Sequence, residues 1–433
     1  MEKSRNWFFA VGIAPLSPRY KIFKRKRCTR MKTPPITGVG KSAFAFVMLL
    51  SLGVLAAPLA QAQTFSVIHN FTGGSDGANP LSGFLMVDGS FIGASSAGGS
   101  AGLGVVFKMS ATGEETVLHE FTGGTDGANP EGHLVKDKQG NFYGTTWAGG
   151  SSNAGTVFKI TGKGVETVLF SFPSYGDGAS PVAGLAIDTA GNLYGTTSVG
   201  GANSVGTVFE LSPPKRSGSA WTEKVLYSFG GGTDGANPVA GVTFDSAGNL
   251  YGTTSAGGTY SYGTVFELSP SGSSWKETIL HEFALGSDGG VPYSGLVADS
   301  KGNFYGAATD GGGGGESGGG TVFELTKVGG SWTFSTLYAL SGWGISGSFR
   351  NLLPIGDKIY ATTHCDGDYN AGTVYELTRS GNTWTYSSLY TFTGGTDGLY
   401  SISNLVADSK GNLYGVTYLG GANGDGVAFK VTP

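Results

Sequence analysis

Residues 191–201 read Gly-Asn-Leu-Tyr-Gly-Thr-Thr-Ser-Val-Gly-Gly, and residues 206–211 follow with Gly-Thr-Val-Phe-Glu-Leu. Both phrases return at 248–258 and 263–268, and looser forms of the second begin at Gly104, Gly155, Gly320, Gly372 and Gly426. Seven copies spaced by 51, 51, 57, 57, 52 and 54 residues fill the chain from Thr64 to its end. A period of roughly 50 residues belongs to propellers and solenoids, whose units bury their apolar faces only against neighbours.

Each copy holds four short apolar runs divided by turn chemistry. In the second copy they span 115–121, 132–137, 142–146 and 155–160, all of strand length and rich in β-branched and aromatic residues. Between the second and third runs stands Asp-x-x-Gly-Asn, as at 188–192 and 299–303. There Asp can cap a turn and Gly can take positive φ, so the runs form a tight hairpin. Four strands in meander order, seven times over, give an all-β fold, a seven-bladed β-propeller.

The ends predict a closed ring. The stretch Phe65-Ser-Val-Ile-His-Asn-Phe71 matches the Val-Leu-His-Glu-Phe run, and Gly426-Val-Ala-Phe-Lys-Val431 matches the Gly-Thr-Val-Phe run. The last copy lacks the strand that the first residues supply, so pairing the N-terminal strand with the C-terminal blade completes the seventh sheet and removes its free edge. The long phrase resembles the GloVer (Gloeobacter/Verrucomicrobia) tandem-repeat family over essentially all of 64–433. That resemblance implies a secreted or surface-displayed repeat protein and no particular activity. Gly-Leu-Ala-x-Asp-x-x-Gly-Asn-Leu-Tyr is more weakly similar to NHL-type propeller blades.

Residues 1–62 read as an N-terminal extension ending in a secretory signal peptide. The apolar run 43–58 is preceded by Lys32 and Lys41 and followed by Ala60-Gln61-Ala62, which places the true start at Met31 and cleavage after Ala62. Residues 63–433 are then a single propeller domain. The removed piece carries 11 of 27 Lys+Arg and one of 31 Asp+Glu, which leaves 16 basic against 30 acidic side chains, a net charge of −14. Such a charge disfavours nucleic-acid binding. With 78 Gly and 16 Pro but aromatics at 12%, the chain is turn-rich and foldable rather than disordered. No transmembrane segment is expected in the mature chain, which is expected to be a monomer.

One face should receive two loops per blade, those carrying Asp-Gly-Ala-Asn-Pro and those following Thr-Thr. In the first set Asp76, Asp126, Asp177, Asp234, Asp288 and Asp397 are equivalent, and a turn-capping role explains their recurrence better than a ring of ligands. Asp126 and Asp234 remain ligand-binding candidates. The residue after Thr-Thr varies as Ser96, Trp147, Ser198, Ser255, Thr309, His364 and Tyr418, which suggests an exposed, blade-specific position. Trp147, His364 and Tyr418 there could stack on a sugar or peptide. The rings at His69, His119, Phe170, Tyr227, His281, Tyr338 and Tyr390 read as packing, because Phe serves in the same place.

The sixth copy departs most from the pattern. Arg350, one of three Arg in the mature chain, is a candidate anchor for a carboxylate. Asp366, Asp368 and Asn370 resemble the start of a calcium loop, but Ala371 and Leu377 replace its Gly and its bidentate Glu. No cofactor is therefore expected. There is no Gly-x-Ser-x-Gly, His-Glu-x-x-His, Cys-x-x-Cys or phosphate-binding Gly-rich loop. The residues point to a secreted recognition scaffold that binds a glycan, a peptide or an extracellular surface protein. The alternative is a propeller hydrolase or lyase around Arg350, His364 and Asp366.

Overall fold

The computed structural model describes residues 63–433 apart from 174–175, 217, 313–317 and 341–350. The N-terminal extension, its start at Met31 and the Arg350 anchor lie outside the described residues. Every regular element among the described residues is a strand, and none is a helix long and apolar enough to cross a membrane.

The strands form seven antiparallel sheets. In the third, Ala186–Ile187, Leu193–Thr197, Thr207–Ser212 and Thr222–Ser228 follow one another outward from the axis, the simplest meander. The seventh holds Val406–Ala407, Leu413–Thr417 and Val427–Thr432, and its outermost strand is Thr64–Asn70 from the other end of the chain. The register runs from Thr64 opposite Thr432 to Asn70 opposite Val427. The ring is closed as the two ends of the sequence require. Blade and sequence repeat are thus offset by one strand, since each outermost strand is the first run of the next copy.

The repeated phrase states the packing of a blade. In Tyr-Gly-Thr-Thr the Gly leaves room for the Phe of Val-Phe on the neighbouring strand. A Cβ at Gly195 would lie 2.6 Å from Phe209 Cζ, and one at Gly252 would lie 2.6 Å from Phe266 Cζ. Where Ala361 replaces this Gly, its cross-strand partner is Tyr375 in place of Phe. The first Thr fastens one blade to the next: Thr145, Thr196 and Thr253 each donate at 2.8 Å to a carbonyl just before the next blade's innermost strand. The second Thr pairs its hydroxyl with Thr156, Thr207 or Thr264 on the next strand outward in its own sheet. All these hydroxyls are buried, so each pairing removes a desolvation cost.

Asp of the hairpin caps its turn as expected. Asp188 accepts from the Ala190 and Asn192 backbone N–H groups, each at 2.9 Å, and from Asn192 Nδ2 at 2.8 Å. Tyr194, on the second strand, donates to the same carboxylate at 3.3 Å.

Candidate functional site

Between third and outermost strands, the ladder slips by one residue in every blade, as at Val67/His69, Val157/Phe158 and Val208/Phe209. Such a bulge re-aims the side chains beyond it. It turns the ring of the outermost strand toward the next blade's outermost strand, to the residue four places before that blade's own ring, and seven seams result. His69 Nε2 lies 3.0 Å from Glu115 Oε2, and Tyr227 donates to Glu277 at 2.9 Å. Three other seams are aromatic stacks: His281 on Phe334 at 3.6 Å and 6°, Tyr338 on Tyr386 at 5.7 Å and 18°, and Tyr390 on Phe65 at 3.7 Å and 7°. The last is the closing seam. Packing was the role expected of these rings.

The loop aspartates sit beside the same rings. Asp126 accepts from the Thr122 backbone N–H and hydroxyl, each at 2.8 Å, and Asp234 accepts from Gly230 N–H at 2.6 Å. These are turn caps, as their recurrence suggested. Each also faces the seam: Tyr227 donates to Asp234 at 3.1 Å, and His119 Nε2 lies 3.6 Å from Asp126. Burial first, and the nearby Asp second, push the Glu166 and Glu223 carboxyls up to about 7. Burial does the same to Glu277, with Asp234 adding to it and the Tyr227 hydrogen bond opposing it, and leaves it at about 7. The Glu four residues before four of the seven rings was the signal for these seams, and it was not singled out in the sequence.

On the rim of the fourth blade the seam opens into a groove of about 620 Å³, lined by Asp234, Tyr260, Glu277, His281 and Glu282 together with Thr233 and Thr259. Tyr260 is 55% exposed. Glu282 accepts from the Thr259 N–H and hydroxyl, each at 2.8 Å. An aromatic face beside fixed carboxylates suits a hydroxyl-rich or cationic ligand.

The axis is closed. Leu81, Val182, Val239, Tyr293 and Ile402 occupy equivalent places in the segments that lead into five innermost strands and meet in one apolar cluster. Below it the strands touch so closely that a Cβ on Gly184 would strike the His133 ring at 2.3 Å, and the cavity between Asn351, Asn404 and His133 measures about 10 Å³. That is room for about one water molecule.

The position after Thr-Thr is buried rather than exposed. Ser198 is 1% and His364 2% accessible. The strand end tucks beneath the preceding loop, where Ser96, Ser198, Ser255 and Thr309 donate to the carbonyls of Asn79, Ser180, Asn237 and Val291. Those four carbonyl residues have positive φ, between 54° and 55°. Trp147 and Tyr418 join the axial cluster, and His364 packs on Tyr400 at 4.3 Å with its Nδ1 2.8 Å from Cys365 Sγ. Three of the candidates therefore converge at the axis as packing. Asp126 and Asp234 stay on the rim, in different blades. In the sixth blade Asp366 accepts from Gly367 N–H at 2.8 Å, Asp368 is exposed, and Asn370 has φ of 52°.

Fold and seams define a repeat β-propeller. The Gloeobacter/Verrucomicrobia repeat profile matches residues 51–209, 164–351 and 245–433, and the chain belongs to that family. No curated protein matches it. Among solved structures it is similar to a candidate 6-phosphogluconolactonase from Bacteroides uniformis, at 16% identity and TM-score 0.47 over 78% of this chain and 89% of that one. It is also similar to a candidate glucose dehydrogenase from Thermus thermophilus, at 12% identity and TM-score 0.42 over 86% and 100%.

Proposed function

We propose that the protein is a secreted recognition scaffold, and that the groove on the rim of the fourth blade holds its ligand, with a glycan as the leading class. The groove carries the reading: it is large, open and lined by Tyr260 beside Asp234, Glu277 and Glu282. Glu282 and Asp234 are held as acceptors by the chain's own N–H groups, which fixes their positions without spending their remaining lone pairs. The test is a glycan array with the secreted protein, followed by titration of the best-bound oligosaccharide against Tyr260→Ala and Glu282→Gln. Both variants are expected to weaken binding about tenfold or more while the melt is unchanged. Unaltered binding would reject the groove. Export is checked by N-terminal sequencing, with Gln63 expected first.

A second reading is hydrolysis. Asp234 and Glu277 share the Tyr227 hydroxyl, and Glu277 is held near neutrality, as a paired acid and base require. Turnover of a polysaccharide or lactone, abolished by Glu277→Gln, would favour it over the scaffold. For the sixth-blade version, His364 is buried, and neither it nor Asp366 lines the fourth-blade groove or the axial cavity.

A further inference from the structure

His69, Asp76 and Glu115 each offer a ligand atom, and these atoms lie within 4.8 Å of one another. They come from three places. His69 is on the N-terminal strand that completes the seventh blade, Asp76 is in the loop leading to the first blade, and Glu115 begins the first blade's outermost strand. The cluster thus spans the seam between the closing strand and the first blade.

Its geometry is that of a prepared ligand set. His69 Nδ1 lies 3.2 Å from the Gly113 carbonyl, which can only accept, so that nitrogen carries a proton and Nε2 is the atom left to take either a second proton or a metal ion. Nε2 faces two carboxylate oxygens, 3.0 Å away on Glu115 and 3.4 Å away on Asp76. Lone pairs at that separation repel unless a positive charge lies between them. The Glu115 side chain is only 6% exposed, and the His69 ring is the polar neighbour of its Oε2. Asp76 is held by the Thr72 N–H, at 2.9 Å on the oxygen that faces His69, and by the Thr72 hydroxyl on its other oxygen. Backbone carbonyl behind the imidazole and N–H on the carboxylate are the outer supports that orient metal ligands. An ion with ligands at about 2.1 Å holds neighbouring ones about 3.0 to 3.4 Å apart.

We propose that His69, Asp76 and Glu115 bind one divalent transition-metal ion of the Zn²⁺ class, which pins the closing strand to the first blade. One imidazole with two carboxylates suits such an ion better than Ca²⁺, which takes six to eight oxygens. The related seams are less complete: the third seam has Phe170, on the second blade, in place of the His, and the fifth has Phe334 in place of the Glu beside His281. At the second seam His119 is 3.6 Å from Asp126.

Calorimetric titration of the metal-stripped full propeller with ZnCl₂ tests this, beside a melt with and without the ion. One high-affinity site is expected, with a melting temperature raised by Zn²⁺ and restored by chelator. His69→Phe, the residue the third seam already uses, should fold and lose that site, while Thr72→Val should weaken it about tenfold. His119→Phe should leave it intact. Absence of saturable Zn²⁺ binding in the unaltered protein, or binding unchanged in a folded His69→Phe protein, overturns the proposal. Should His69→Phe fail to fold, Glu115→Gln decides in its place, by the same loss or retention of the site.

Discussion

Deleting residues 63–71 should cost the propeller its fold, and the structure sets the magnitude. The strand Thr64–Asn70 pairs with Val427–Thr432 at six positions, and each hydrogen bond lost to water is worth about 0.5–1.5 kcal/mol. Phe71 is 0% exposed and packs on Phe107 at 5.5 Å; emptying such a site costs about 3–5 kcal/mol. Phe65 stacks on Tyr390 at the closing seam, which adds about 0.5–1.5 kcal/mol beyond its buried area. Together these are on the order of 10 kcal/mol, against about 5–15 kcal/mol for the whole stability of a typical domain. The truncated chain would also expose the edge of Val427–Thr432 as a template for another molecule. Differential scanning calorimetry and light scattering are expected to show a lost or strongly lowered transition and self-association, with a peptide of residues 63–71 partly restoring the melt. A truncated protein that stays monomeric and melts within about 2 °C of the full chain, a shift of at most about 1 kcal/mol, would refute the closure argument.

Gly252→Ala should destabilise by about 1–3 kcal/mol through overpacking on the buried Phe266 ring, and Phe266→Leu should recover part of that in a denaturant titration. The pH dependence follows from Glu166, Glu223 and Glu277, whose carboxyls are held at about 7 in the fold against an ordinary value of 4.5. The folded state binds their protons more tightly than the unfolded chain, so their contribution is full below about pH 4.5 and is lost as pH rises through 7. Each is worth about 1–2 kcal/mol after allowing for the water that reaches them; the urea midpoint should fall between pH 5 and 8, and less so in the triple Gln variant. A midpoint that rises over that range contradicts the assignment. Millimolar Ca²⁺ should move the melt no further than equal ionic strength of NaCl, because Asp366 is turned to its own loop and Asp368 is exposed. An upward shift lost in Asp366→Ala would show a site there.

The fold was legible because its chemistry is local and repeated. Gly before Thr-Thr, Phe after Val and Asp before Gly-Asn each solve a steric or hydrogen-bonding problem inside one blade, and the solution recurs wherever the blade does. Closure was legible for the same reason, since Phe65–Phe71 and Gly426–Val431 are two parts of one unit. The residue after Thr-Thr misled. Variation there looked like exposure, but a buried position can also vary when neighbouring blades offer it different company. Ser198 finds a carbonyl, whereas Trp147 and Tyr418 find the axial apolar cluster.

The seams were hidden because their partners lie in different copies. Glu115 and His119 share one strand and look like neighbours along it, but the bulge gives His69 to Glu115 and turns His119 toward the second blade. Only the three-dimensional twist decides which ring meets which partner. Once paired, they divide the propeller by chemistry: the partner on the outermost strand is Glu115, Glu166, Glu223 or Glu277 in the first four blades, and Phe334, Tyr386 and Phe65 in the rest. A stack has no proton to lose, so the closing seam at Tyr390 and Phe65 holds alike across the pH range in which the acidic seams weaken. The acidic side is also where the wide groove opens, beside Glu277, because two carboxylates and a histidine cannot be packed as tightly as two flat rings. The same substitution of charge for stacking that lowers stability at the fourth blade thus leaves space and polarity there for a ligand.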